Sequence, residues 1–152
     1  MKRSIFFISL IAFVFIGCKK EEINTPQIVE SSITLQSITP IAGSTLLGTE
    51  MMNAVLDYNI GDGYDPTKLY RASLMLKNTS GGWEFGGNDS NFVDLIAKSG
   101  TITIQYDFSD LWSDIDYMHP FTLHFHMIKR EDSTPPWSWL VLANTVNVEY
   151  AN

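Results

Sequence analysis

Between Ile33 and Tyr150 the apolar side chains recur at every second residue, in short runs closed by glycine, proline, asparagine or aspartate. A period of two places one set of side chains on one face of an extended chain and leaves the other to water, so each run reads as a half-buried β-strand. Ile33 to Ile38 forms the first, stopped by Pro40 and Gly43, and Met52 to Ile60 the second, ended by Gly61-Asp62-Gly63. Tyr70 to Leu76 is the third. Trp83 and Phe85, between paired glycines, mark a very short strand or hairpin tip, and Phe92 to Ala97 a further short strand. The clearest alternation is Ile102, Ile104, Tyr106 and Phe108, followed by Phe121, Leu123, Phe125 and Met127. Leu140, Leu142, Val146, Val148 and Tyr150 are expected on the inner face of a last long strand. Helical spacing competes only over Ser109 to Asp116, where a capping serine precedes Leu111 and Ile115, and one short helical turn is expected there. Seven or eight short strands joined by such turns predict an all-β domain over residues 33–152, a β-sandwich with a small up-and-down β-barrel as the alternative.

The segment before this domain has a different grammar. Lys2 and Arg3 precede twelve residues, Ile5 to Ile16, that are apolar except for Ser9, and small Gly17 then leads to Cys18, the one cysteine of the 152-residue chain. A charged start, a short apolar run and a small residue make a signal peptide over residues 1–17. Twelve residues fall short of the roughly 20 that a helix needs to cross a bilayer. Residues 18–32 then read as a tether, with Asn24, Thr25 and Pro26 in its middle.

Phe15-Ile16-Gly17-Cys18 resembles a bacterial lipobox, with Phe15 where leucine is usual. That resemblance implies cleavage after Gly17 and acylation of Cys18 with palmitate-type chains. More than one chain is needed for stable anchoring. The charged run Lys19-Lys20-Glu21-Glu22 is similar to the surface-export signal of Bacteroidota lipoproteins, which implies an outer-membrane location facing the cell surface; a solvated tether explains the same residues. Pro40-Ile41-Ala42-Gly43-Ser44 between the first two strands resembles the opening turn of bacterial immunoglobulin-like domains. It implies an immunoglobulin-like β-sandwich, a fold that hosts adhesins, sugar binders and spacers alike.

Ten basic and seventeen acidic residues give a net charge of −7, and loss of Lys2 and Arg3 with the leader takes it to −9. Nucleic acid, which demands a basic stripe, is not an expected partner. With a single cysteine the domain holds no internal disulfide and folds on its core alone.

If the last two long strands pair, Ile128 stands near Trp139 or Val141 and His126 near Val141 or Ala143, with Met75 on the neighbouring strand. Met75, His126, Ile128, Trp137, Trp139 and Val141 are therefore the candidate binding face, for a protein or glycan partner. A covering loop or a register break near Asn144 would hide the same residues. His124 and His126 share a strand face and have the spacing of a chelating pair, with His119 beyond the strand start, but the spacing supplies no defined third ligand. Asp110, Asp114 and Asp116, with Asp107, crowd the helical turn, and Asp62 and Asp65 flank a glycine turn. Neither run has the ladder of a calcium loop, and aspartates start turns and helices for structural reasons. No metal and no cofactor are expected. Gly-x-Ser-x-Gly, His-Glu-x-x-His and phosphate-binding glycine loops are all missing from the sequence, so no catalytic residues are expected. The reading is a non-catalytic, lipid-anchored binding module of the envelope. The alternatives are a structural accessory subunit of an outer-membrane assembly and a small barrel carrying an apolar ligand.

Overall fold

In the computed structural model, which describes residues 26–78, 84–86, 92–109 and 120–151, the alternating runs become strands. They are β1 (Ser32–Thr39), β2 (Met51–Asn59), β3 (Tyr70–Asn78), β4 (Glu84–Gly86), β5 (Phe92–Asp94), β6 (Ser99–Asp107), β7 (Phe121–Arg130), β8 (Trp139–Asn144) and β9 (Val148–Tyr150). A 3-10 turn, Gly61–Gly63, follows β2. Of the helical turn expected over Ser109 to Asp116, all but Ser109 lies outside the described residues, as does Trp83.

Among the described residues every strand pairs antiparallel with its neighbours, and the strands divide into two sheets. One has the order β1-β2-β6; the other runs β4-β3-β7-β8, with β5 also on β3 and β9 also on β7. β4 and β5 follow one another along one edge of β3, opposite Met75 to Lys77 and Arg71 to Ser73 respectively. β8 and β9 likewise share the outer edge of β7. Nine segments thus fill seven strand positions, three in one sheet and four in the other. The chain changes sheet between β2 and β3, between β5 and β6, and between β6 and β7. That is the Greek-key path of an immunoglobulin-like sandwich. The barrel alternative is overturned, because among the described residues no strand of one sheet pairs with a strand of the other.

The core lies between the sheets and is built from the inward set of each alternation. Met52, Ala54, Leu56 and Tyr58 of β2 and Ile104 and Tyr106 of β6 face Tyr70, Ala72, Leu74 and Leu76 of β3 and Leu123, Phe125 and Met127 of β7, all buried. Burying a large apolar side chain contributes roughly 1.5 to 3 kcal/mol. With no internal disulfide, this packing carries the stability of the domain.

The last strand departs from the expectation. Leu140 is 46% exposed and Val146 80% exposed, whereas Val148 and Tyr150 are buried. Leu140 keeps the inward parity of its partner Lys129 but stands on the edge strand β8, and two local events turn Val146 outward. The pairing of β7 with β8 slips by one residue between Met127 and Ile128, so that Ile128 pairs with Val141 but Met127 with Ala143, which leaves Leu142 as a bulge. The strand then stops at Asn144, and Thr145 bridges the gap before β9: its backbone N–H donates to the Phe125 carbonyl at 3.0 Å, and its hydroxyl accepts the Phe125 N–H at 3.0 Å. A side-chain oxygen takes the place of a ladder carbonyl, and Val146 is left on the outward side of the break.

The Pro40 to Ser44 turn joins the two sheets at one end. Gly43, at φ +80°, donates its N–H to the Glu149 carbonyl at 2.8 Å, a left-handed conformation that favours glycine. Thr45 forms a parallel bridge with Ala151. Tyr150, 1% exposed, stacks edge-on against Phe108 and donates its hydroxyl to the Pro40 carbonyl at 2.6 Å.

Removing that hydroxyl in Tyr150→Phe is expected to cost about 1 to 2 kcal/mol at neutral pH. Burial pushes the phenol up from 10.0 to about 12. Between those values the unfolded chain has given up its proton while the native state keeps it, so stability falls as pH rises through the window. The contribution is complete below pH 10 and lost by about pH 12, on the order of 2 to 3 kcal/mol. Urea titrations of both proteins from pH 8 upward should show the wild type losing its advantage over the variant. Parallel curves would mean that the phenol does not control the alkaline limb.

Candidate functional site

The outward set of the β3 and β7 alternations, extended by β5 and β8, forms the outer face of this sheet, half-buried over most of its residues. Antiparallel register arranges it in rows. Asp94, Arg71, Ile128 and Val141 make one row across the sheet, and Phe92, Ser73, His126 and Asn144 the next. Met75 and His124 pair in a third, with Gly86 on the far side of Met75. Arg130 pairs with Trp139 at the end of the sheet.

The expected neighbour of Ile128 is therefore in place, at Val141. That of His126 is not: it pairs with Asn144, because the bulge at Leu142 adds a residue to the count. Met75, His126, Ile128 and Trp139 are half-buried, while Trp137 is 52% and Val141 46% exposed.

The residues that organise this face are ones the spacing argument passed over. The Arg71 guanidinium lies 3.7 Å from the centre of the Phe92 ring and 5.1 Å from that of Trp139, sandwiched between two aromatic side chains from different strands. Its Nε also donates to Asp94 Oδ1 at 2.7 Å. Arg130 stands 5.3 Å from the Trp137 ring. Cation–π contacts at such sites contribute about 0.5 to 1 kcal/mol each, and an exposed ion pair no more. Their effect is to hold flat side chains in fixed positions. Arg71 had a signal in the sequence: it shares the outward parity of Met75. The Phe92 stack depends on β5 lying beside β3, which no local pattern states.

Beside the sheet face lies a shallow depression of about 80 Å³ lined by residues 67–69 and 130–133. Pockets for drug-sized molecules run to roughly 300 Å³ and more.

His124 and His126 are brought together as their spacing predicts. Their Nε2 atoms are 2.7 Å apart, a single hydrogen bond between two rings whose centres are 4.7 Å apart. Among the described residues no group of three or more histidine, cysteine, aspartate or glutamate side chains converges. Asp110, Asp114, Asp116 and His119 lie outside the described residues, as do Gly17 and Cys18.

The remaining turn aspartates are occupied locally. Asp62 Oδ2 accepts the Val29 N–H at 2.9 Å and Oδ1 accepts from Lys98 Nζ at 3.1 Å. Asp65 accepts from the hydroxyl and N–H of Thr67, and Asp107 from the N–H of Ser109. The Val29 N–H, the Thr67 hydroxyl and the Ser109 side chain are the main causes holding these three carboxyls below their ordinary range. Glu50 is lowered in the same way by the Leu47 N–H. Their contribution is present above the ordinary carboxylate pKa and is lost as pH falls through the lowered native values.

Comparison with known protein families finds no model that matches the chain, and comparison with curated proteins finds no match.

Proposed function

We propose that this chain is a non-catalytic, lipid-anchored envelope protein whose immunoglobulin-like domain binds a protein partner through the outer face of β3, β7 and β8. The observation that carries the reading is the Phe92–Arg71–Trp139 stack, continued by Val141 and by the Trp137–Arg130 pair. Tryptophan and arginine dominate the strong points of protein interfaces. Here each is already in contact with a partner side chain, which lowers the side-chain freedom lost on binding. The lipobox-like Gly17-Cys18 supports anchoring in the outer membrane, and Lys19 to Glu22 supports display at the surface of a Bacteroidota-like cell.

Photo-crosslinking in intact cells tests this. A crosslinker at Val141 is expected to give one discrete protein adduct, whereas one at Thr103, on the opposite sheet, gives none. Arg71→Ala or Trp139→Ala should weaken capture about 30-fold, the effect of losing roughly 2 kcal/mol at an interface centre. Binding to a glycan that Trp137→Ala abolishes would replace the protein partner with a sugar. A stoichiometric envelope partner retained by both variants would favour the accessory-subunit role.

A further inference from the structure

We propose that His124, His126 and Met75 form a binding site for Cu(I), independently of the protein-binding reading. The two histidines lie two residues apart on β7, so both imidazoles project from the same face, and their Nε2 atoms already converge to 2.7 Å. Two nitrogens bound to one metal at about 2 Å each stand roughly 3.3 Å apart, so both rings need to swing outward by only a few tenths of an ångström. The hydrogen bond between them is the metal-free form of that pair, with a proton where the cation would sit.

Met75 supplies the third donor. It pairs directly with His124 across the β3–β7 ladder, and directly opposed side chains start from Cβ atoms about 4.5 to 5.5 Å apart. An unbranched side chain with three rotatable bonds spans that gap easily. The residue on its other flank is Gly86, which has no side chain to compete for the space. All three donors are half-buried, which limits access by competing water without closing the site. The donor chemistry selects the metal. A thioether is a soft ligand that favours Cu(I), while imidazole accepts copper and zinc alike. Among the described residues no carboxylate occupies the rows containing His124 and His126.

The test is an anaerobic titration of the full chain in mild detergent, in a Cys18→Ser background so that its thiol takes no metal. Cu(I) is offered as its bicinchoninate complex. One equivalent should pass to the protein. His124→Gln and His126→Gln should each weaken uptake more than about tenfold, the lower bound of effects seen even for partners behind a metal ligand. Met75→Leu, which conserves volume, should weaken Cu(I) to the same degree and leave Zn²⁺ affinity within about twofold. Circular dichroism reports whether each variant keeps its fold, and Met75→Leu decides the matter if the histidine variants do not. The proposal is overturned if the parent chain takes no Cu(I), if folded histidine variants retain its affinity, or if Met75→Leu leaves Cu(I) uptake unchanged.

Discussion

Gly61→Ala is expected to destabilise the domain by about 2 to 4 kcal/mol, measured as a shift of the urea midpoint at constant slope. Gly61 sits at φ +77°, where an alanine carries a left-handed penalty of roughly 1 to 2 kcal/mol. A Cβ there would also drive into the Val29 carbonyl oxygen and come within 3.0 to 3.1 Å of the Glu30 backbone. These are main-chain atoms and cannot swing aside. They belong to the segment that leads into β1, which is clamped at this point from both directions: the Asp62 N–H donates to the Val29 carbonyl at 3.0 Å, the Val29 N–H donates to Asp62 Oδ2, and the Ser31 hydroxyl donates to the Ile60 carbonyl. The added methyl would therefore pry the incoming chain off the turn. Asp62→Asn, which keeps an acceptor but drops the charge seen by Lys98, should cost far less. Equal losses in the two variants would show that the clamp depends on charge rather than on close backbone approach.

Cys18→Ser is expected to move the protein from the membrane fraction into the soluble fraction almost completely. This rests on the proposed acylation. Each buried methylene contributes on the order of 0.8 kcal/mol, so two or three acyl chains hold the protein irreversibly on the time scale of fractionation, and none holds it at all. Metabolic labelling with an alkyne fatty acid should mark the parent chain and not the variant. Retention of Cys18→Ser in membranes without label would place the attachment elsewhere, in the partner or in the leader. Because the domain carries no other cysteine, its folding should be unchanged and the two effects separable.

Much of the sandwich was legible because strand alternation is a local property. Ile104, Tyr106 and Phe108 are buried as their parity demands, and Met52 to Ile60 behaves alike. The Pro40 to Ser44 turn marks the boundary after β1 through residues whose backbone preferences act without help from the rest of the chain. Legibility failed where one inserted residue changed the count. A slip of one reverses faces, and the bulge at Leu142 carries no compositional mark. Val146 has the apolar character of a core position, but Thr145 pairs with the Phe125 ladder groups and leaves it facing outward. In the candidate face, Ile128 and Val141 were found from register alone. Phe92 and Arg71 were not, since their stack with Trp139 needs β5, β3, β7 and β8 to line up in one sheet.

The chain order itself was enough to establish strand period and the polar or apolar character of each face, both of which depend on neighbours a few residues apart. Tertiary structure alone decided which faces meet and at which end. It set the arginine–aromatic stack and brought two imidazoles within hydrogen-bond reach beside a thioether. It also placed Arg130 at the same end as the segment that leads into β1, where the Arg130 N–H donates to the Leu69 carbonyl, that of Leu95 to Tyr70, that of Ile60 to Lys98 and that of Asp62 to Val29. The physical reason is that pairing register is a global quantity: each bulge and sheet crossing shifts every later residue, and only the closed set of backbone hydrogen bonds fixes the sum.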